Sequence, residues 1–122
     1  MRWLLHGNLT VAVAEALVRH EHSVQKLTDL GSSEDISPAE VFELAHAKQL
    51  DILTNDPVLA GAPFESAVKF GRSIVFLQLE GGDMEQDDAI DRLFKRYKRL
   101  TPGRLYTVTG SRVKVRQLPG LK

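Results

Sequence analysis

The side chains in this sequence that could do chemistry are carboxylates, imidazoles and hydroxyls, because the chain has no cysteine. That absence excludes disulfides, thiolate metal sites and thiol nucleophiles together. His6 closes the apolar run Trp3 to Leu5 in WLLHGNLTV, and Asp56 follows the short apolar run DILT. Asn8 and Thr54 stand close beside them in the chain. If both runs are strands of one parallel sheet, the four residues share its carboxyl edge, where crossover loops converge and helix N-termini point their donors. An imidazole beside a carboxylate there suits proton transfer near neutral pH or coordination of a transition metal. Each residue also has a plain structural use. His6 could donate to a loop carbonyl, and Asp56, standing before Pro57, could cap the next turn.

Other candidates divide in the same way. Asp35 and Glu40 could add carboxylates to that edge. Glu40, however, is the third residue after Ser37 in SPAEVFELAHAKQL, with Pro38 between them, which is the pattern of a capping box with proline at the first helical position. His20 and His22 are two apart and would clip a metal only if other ligands arrived, so they read as a surface turn; His46 falls on the exposed side of its helix. Charge is zero overall but unevenly spread. From Arg92 to Lys122 there are ten Lys and Arg and no acid, leaving six bases and all sixteen acids before them. Lys95 and Arg99 sit in the basic half of a segment whose first half is acidic, an order that complements a helix macrodipole and allows i, i+4 pairs. Arg112, Lys114 and Arg116 alternate with Val113 and Val115, which predicts three cations on one strand face. Such a row could track phosphates or protect an edge strand from aggregation. It contains no aromatic residue on which a base could stack.

Elements that would position these residues can be read from periodicity. At 122 residues the chain is expected to form one domain, 1–122, around a single core. Arg2 to Leu5 predicts a first strand. NLTVAVAEALVRHE carries Leu9, Val13, Ala16, Leu17 and His20 at helical spacing, with Asn8 as its cap. HSVQKLTDLG predicts a second strand ended by Gly31, and GSSEDIS a loop. After the capping box, Val41, Leu44, Ala45 and Lys48 line one side of a helix, flanked by Phe42. DILT is a third strand, PFESAVKFG allows a short helix closed by Gly71, and SIVFLQL reads most strongly as strand. Asp83 with Gln86 is read as the cap of the longest helix, in which Ile90, Leu93, Phe94, Tyr97 and Leu100 form the core-facing stripe. RLYTVTGSRVKVRQL then predicts a hairpin about Gly110 and Ser111. Strands alternating with helices imply an α/β fold of three layers, a mostly parallel central sheet with helices on both faces and a C-terminal antiparallel hairpin. With no run of eighteen apolar residues and no basic-then-apolar leader, the expected location is cytoplasmic, without a membrane partner.

In their order and spacing, six short stretches resemble the PIN-like proteins, in particular small single-domain bacterial members related to toxin-type ribonucleases. LLHGNL resembles a strand followed by D-E-N-L-P; HSVQKLTDLG a G-H-x-V strand with D-L-G; and SPAEVFELA the pattern S-D-x-E-I-x-x-x-A. ILTND resembles V-L-V-T-x-D-x-D-F, SIVFLQL resembles G-V-I-x-L-x-L, and SRVKVRQLP resembles a closing G-x-x-R-I-R-x-L-P. The resemblance spans nearly the whole chain. It implies a PIN-like fold and a site where acidic residues at strand ends hold Mg²⁺ or Mn²⁺ to activate water for phosphodiester cleavage. Here most of those positions are changed. His6 stands for the strand-one Asp, Gly7 for its neighbouring Glu, Pro38 for the helix-start Asp and Val58 for the second Asp after strand three. Asp56 remains, with Glu40, Asn8 and Thr54.

Two functions follow. In the first, the chain is a PIN-like protein of toxin–antitoxin type whose nuclease site is impaired, binding RNA or an antitoxin-like protein and needing no cofactor. In the second it is a working metal-dependent endoribonuclease with an altered site. There Asp56, His6 and Glu40 would be catalytic, Asp56, His6 and Asp35 would hold Mn²⁺ or Mg²⁺, and Asn8 and Thr54 would support them. Magnesium's preference for hard oxygen donors in octahedral array favours the first. In either, Arg112, Lys114, Arg116, Lys95 and Arg99 are the candidate contacts to nucleic acid. A homodimer joined through the edge hairpin is compatible with both.

Overall fold

Six strands form one sheet in the order β2-β1-β3-β4-β5-β6. A computed structural model of the chain describes residues 1–33, 35–65, 69–79 and 81–119. The strands are β1 (Arg2–His6), β2 (Ser23–Lys26), β3 (Asp51–Thr54), β4 (Ile74–Leu77), β5 (Arg104–Val108) and β6 (Val113–Gln117). The first five pair in parallel and β6 returns antiparallel to β5. Four helices complete the three layers: α1 (Val11–Arg19), α2 (Pro38–Lys48), α3 (Pro57–Glu65) and α4 (Asp83–Arg96). This is the α/β architecture expected from the alternation of patterns. Among the described residues, no helix is long and apolar enough to cross a membrane.

Period-2 alternation sorts the strand side chains onto two faces. Trp3, Leu5, Leu53, Val75, Leu77, Tyr106 and Val108 pack with α1 and α4, while Leu4, Ile52, Ile74 and Leu105 pack with α2 and α3. Both faces are covered, which is why β3 reads as a continuous buried run. α1 and α4 lie on the same face although their crossovers run toward opposite edges of the sheet. The β4–α4–β5 connection therefore has the opposite hand to β1–α1–β2, and also to β2–α2–β3 and β3–α3–β4, whose helices lie on the other face, so it is the one that departs from the right-handed rule.

Several local expectations need correcting. α1 is capped at Thr10, not Asn8, and the Thr10 side chain makes no capping bond. The strand foreseen through Leu27 stops at Lys26, and a short 3-10 turn (Thr28–Leu30) runs to Gly31, whose φ of 76° supplies the left-handed stop. In α2 the capping serine and Pro38 stand where the pattern put them, but Phe42 is buried and Lys48 exposed. The helix expected over 63–71 begins at Pro57 instead; residues 66–68 lie outside the described residues. α4 starts at Asp83 with Gly82 in the cap position, which has no side chain to accept a capping bond, and Gln86 is turned to another partner.

Three histidines do structural work on these layers. Trp3 Nε1 donates to His22 Nδ1 at 2.8 Å, and the His22 ring packs 4.6 Å from Phe94. His20 Nε2 meets Asp91 at 2.8 Å, joining α1's end to α4. His46, exposed as expected, has its Nε2 accept the Gly71 N–H at 2.9 Å with its ring against Phe70. Burial, then the positive N-terminus and His20, hold the His22 imidazole down at about 4. An accepting Nδ1 is consistent with a neutral ring. The unfolded chain takes up this proton near its ordinary 6.5, so the stability this residue contributes falls as pH drops from 6.5 toward about 4, with no further loss below. In proton NMR the His22 ring should titrate with a midpoint near 4. A midpoint at the ordinary imidazole value would contradict this packing.

Candidate functional site

The strand order reverses between β1 and β3, and this is where a ligand crevice is expected in an open parallel sheet. The pairing sets His6 opposite Thr54 at the carboxyl edge. Their side chains meet, with His6 Nδ1 2.9 Å from Thr54 Oγ1. The same hydroxyl, fully buried, accepts the Asp56 N–H at 3.0 Å. Asp56 Oδ1 in turn accepts the Val58 N–H at 2.9 Å, two residues into the turn that starts α3. Asp56 is thus both at the edge and capping the next helix, the second of its two sequence readings.

A second set of bonds closes the loops above. Asn55 Oδ1 accepts the Asn8 N–H at 2.9 Å and its Nδ2 donates to the Asn8 carbonyl at 3.0 Å, a two-pronged clasp between the loops after β3 and β1. Gly7 makes the clasp possible. Its φ is +93°, and a Cβ there would stand 2.4 Å from Asn55 Oδ1. Farther along, the buried Gln86 of α4 accepts both the N–H and the hydroxyl of Thr10, at 3.0 and 3.2 Å. So His6, Thr54, Asp56 and Asn8 are brought together, with Asn55, Thr10 and Gln86 as partners that pattern reading missed. The only prior signal for Asn55 was its place beside Asp56, and Gln86 was misread as part of a cap.

Glu40 and Asp35 are engaged otherwise. Ser37 Oγ accepts the Glu40 N–H at 3.3 Å and donates to Glu40 Oε1 at 3.1 Å, so Glu40 serves the start of α2. Asp35 N–H donates to Ser33 Oγ at 3.2 Å within its loop. Among the described residues no three His, Asp or Glu side chains are placed to hold a metal ion. The junction of β1 and β3 offers one carboxylate, one imidazole, a hydroxyl and amides, and this set does not fit an ion that demands several hard oxygens in octahedral array. Among the described residues the one deeply buried carboxylate, Asp51, begins β3 at the opposite edge. Burial raises its pKa, although the Ser73 N–H and the Arg72 guanidinium oppose the rise.

Two clefts flank the β5–β6 turn. The first, about 660 Å³, lies beyond β3, β4 and β5 and is lined by Asn55, Gln78, Glu85 and Thr109 among others. The second, about 550 Å³, is lined by Arg92, Lys95, Arg96, Ser111, Arg112 and Val113. The predicted row of three cations is therefore divided. Arg112 precedes β6 and lines the second cleft. Lys114 and Arg116 pair across from Thr107 and Leu105, on the α2/α3 face, where the Arg116 guanidinium sits 3.9 Å over the Phe64 ring. Lys95 joins Arg112 at the cleft, and Arg99 is exposed beyond the end of α4 and is not among the lining residues.

Comparison with protein-family models, with curated proteins and with solved structures finds no match to this chain. The clasp at the β1–β3 junction gives a direct test of the geometry. Gly7→Ala forces a side chain against Asn55 in a backbone conformation L-residues rarely adopt, and should destabilise the protein by about 1–3 kcal/mol in urea unfolding. Unchanged stability would show that the loops do not close as described.

Proposed function

We propose that this chain is a PIN-like protein of toxin–antitoxin type that acts by binding rather than by hydrolysis. The observation that carries the reading is the closed junction of β1 and β3. Where the resembled pattern has an acidic pair after strand one, this chain has an imidazole bonded to Thr54 and a glycine whose missing side chain admits Asn55. A carboxylate at position 7 would collide with that amide. The remaining acid, Asp56, spends one oxygen on the Val58 N–H. Nucleophilic water activated by a hard cation needs concentrated negative oxygen, and one carboxylate beside an imidazole, a hydroxyl and amides does not provide it. With hydrolysis set aside, a binding role toward RNA or an antitoxin-like protein is what remains, supported by the uncompensated basic charge of the last quarter of the chain.

One observation favours the other reading, an altered ribonuclease. The His6 ring and the Asp56 backbone N–H share the Thr54 hydroxyl, which sets an imidazole and a carboxylate-bearing residue at the same strand ends. Incubation of the purified chain with mixed RNA, with and without Mn²⁺ or Mg²⁺, separates the two. The expected result is cleavage no faster than the blank, unchanged in Asp56→Asn. Asn caps helices about as well as Asp, so the variant keeps the fold while losing the charge, with a stability change of only a few tenths of a kcal/mol. Mn²⁺-dependent cleavage that disappears in Asp56→Asn would establish the ribonuclease and end the binding reading.

A further inference from the structure

We propose that the cleft between α4 and the β5–β6 turn is a binding site for the phosphodiester backbone of single-stranded nucleic acid, held by Arg92, Lys95, Arg96 and Arg112. The inference deepens the binding role proposed above and rests on it for its setting. Its starting point is how α4 distributes its charges. Acids fill the first part of the helix, and the spacing alone suggests that Asp88 and Asp91 neutralise Arg92 and Lys95 four residues on. They do not. Asp87 and Asp91 both bond Arg19, and Asp91 also bonds His20, so these acids turn toward α1. The His20 and Arg19 bonds hold the Asp91 carboxyl below its usual range, as a carboxylate committed to that side. Among the described residues none of Arg92, Lys95, Arg96 and Arg112 has an ion-pair partner.

Four uncompensated cations around about 550 Å³ raise the local potential, and an anion entering the cleft lowers it. Arg92 is half-buried and tethers α4 to the turn by donating to the Thr109 carbonyl, while its Nε is buried without a hydrogen-bond partner among the described residues. Its charge is thereby fixed at the wall of the cleft. Arg96 is steadied by Tyr97, its guanidinium carbon 5.6 Å from the ring centre and its Nε donating to the hydroxyl at 3.3 Å. Ser111 adds a hydroxyl and backbone at the turn. Among the described residues no aromatic side chain lines this cleft, so the anchoring contact is with the backbone rather than through base stacking.

The neighbouring cleft favours a polynucleotide over an acidic peptide. Thr109 and Gly110 of the same turn line its other side, with Asn55, Gln78 and Glu85. Neutral amides and one carboxylate can meet the amino and carbonyl edges of bases adjoining an anchored phosphate. An acidic peptide crossing the turn would set its side-chain carboxylates against Glu85, whereas a nucleotide anchored by its phosphate extends an uncharged base there. A recessed cleft also suits the flexible backbone of a single strand better than the stiff, evenly spaced phosphates of a duplex.

The test compares two variants that lose equal charge. Lys95→Gln/Arg96→Gln/Arg112→Gln empties the cleft of three cations, and Lys26→Gln/Lys48→Gln/Lys69→Gln removes three exposed cations elsewhere. Fluorescence anisotropy with labelled oligouridylate, oligothymidylate, duplex RNA and an oligoglutamate peptide reads binding in metal-free buffer, and circular dichroism checks both folds. Wild type should bind either single strand more tightly than duplex or peptide. The cleft variant should lose affinity on the order of thirtyfold at low salt, and its slope of log affinity against log salt should shrink by about 2, from about 0.7 per phosphate contact. The other variant should stay within about threefold. Equal losses in both variants, tighter binding of the peptide or duplex, or no binding by wild type would overturn the proposal. Cleavage of the RNA when Mn²⁺ is added would sink the binding-only role but leave the cleft standing, whereas intact, unbound RNA would do the reverse.

Discussion

A single buried hydroxyl, that of Thr54, joins the carboxyl ends of β1 and β3, and the character of the candidate site follows from it. It meets the His6 ring on one side and the Asp56 N–H on the other. Because the sheet reverses its order at this point, the two loops leaving it diverge toward opposite faces and would part without a bridge. The Thr54 bonds and the Asn8–Asn55 clasp supply that bridge through a hydroxyl, an imidazole, a side-chain amide and backbone groups. A satisfied net of this kind gains stability by leaving no orphan donors, but it has little charge to offer an incoming cation. The conformation of Gly7 belongs to the same arrangement.

Charge is managed on the other side of the molecule. The long helix α4 is held to α1 through Asp87 and Asp91, so its acids serve tertiary packing and its bases face outward with the hairpin turn. The unusual hand of the β4–α4–β5 crossover is part of this. It places α4 beside α1 rather than beside α2 and α3, where Arg19 and His20 would not have met its acids. Exposed pairs such as Arg19 with Asp87 are each worth little in stability; their consequence here is what they leave uncompensated.

Strand runs, the Ser37–Pro38–Glu40 helix start and the final hairpin were legible because each is written in a few adjacent residues obeying one local rule. Asn8 looked like a cap by type, but its backbone was claimed by Asn55, forty-seven positions away, and the helix began at Thr10. Gln86 fitted a capping pattern but was recruited by Thr10 of the neighbouring helix start, seventy-six positions away. The three cations of VKVR and its neighbour looked like one row because alternation was carried one residue past the start of β6. For the site itself, the meeting of His6 with Asp56 followed from placing two strand ends side by side. The closure around them did not, since it depends on side-chain contacts between loops that no spacing encodes.

The central claim, that the β1–β3 junction does not grip a hard divalent cation, is tested most directly by paramagnetic broadening in amide NMR spectra as Mn²⁺ is added. The account predicts that signals of His6, Asn8, Thr54 and Asp56 broaden no sooner than those of exposed acids such as Asp83 or Glu43. Selective loss of the junction signals at low Mn²⁺, with the rest of the spectrum intact, would contradict it.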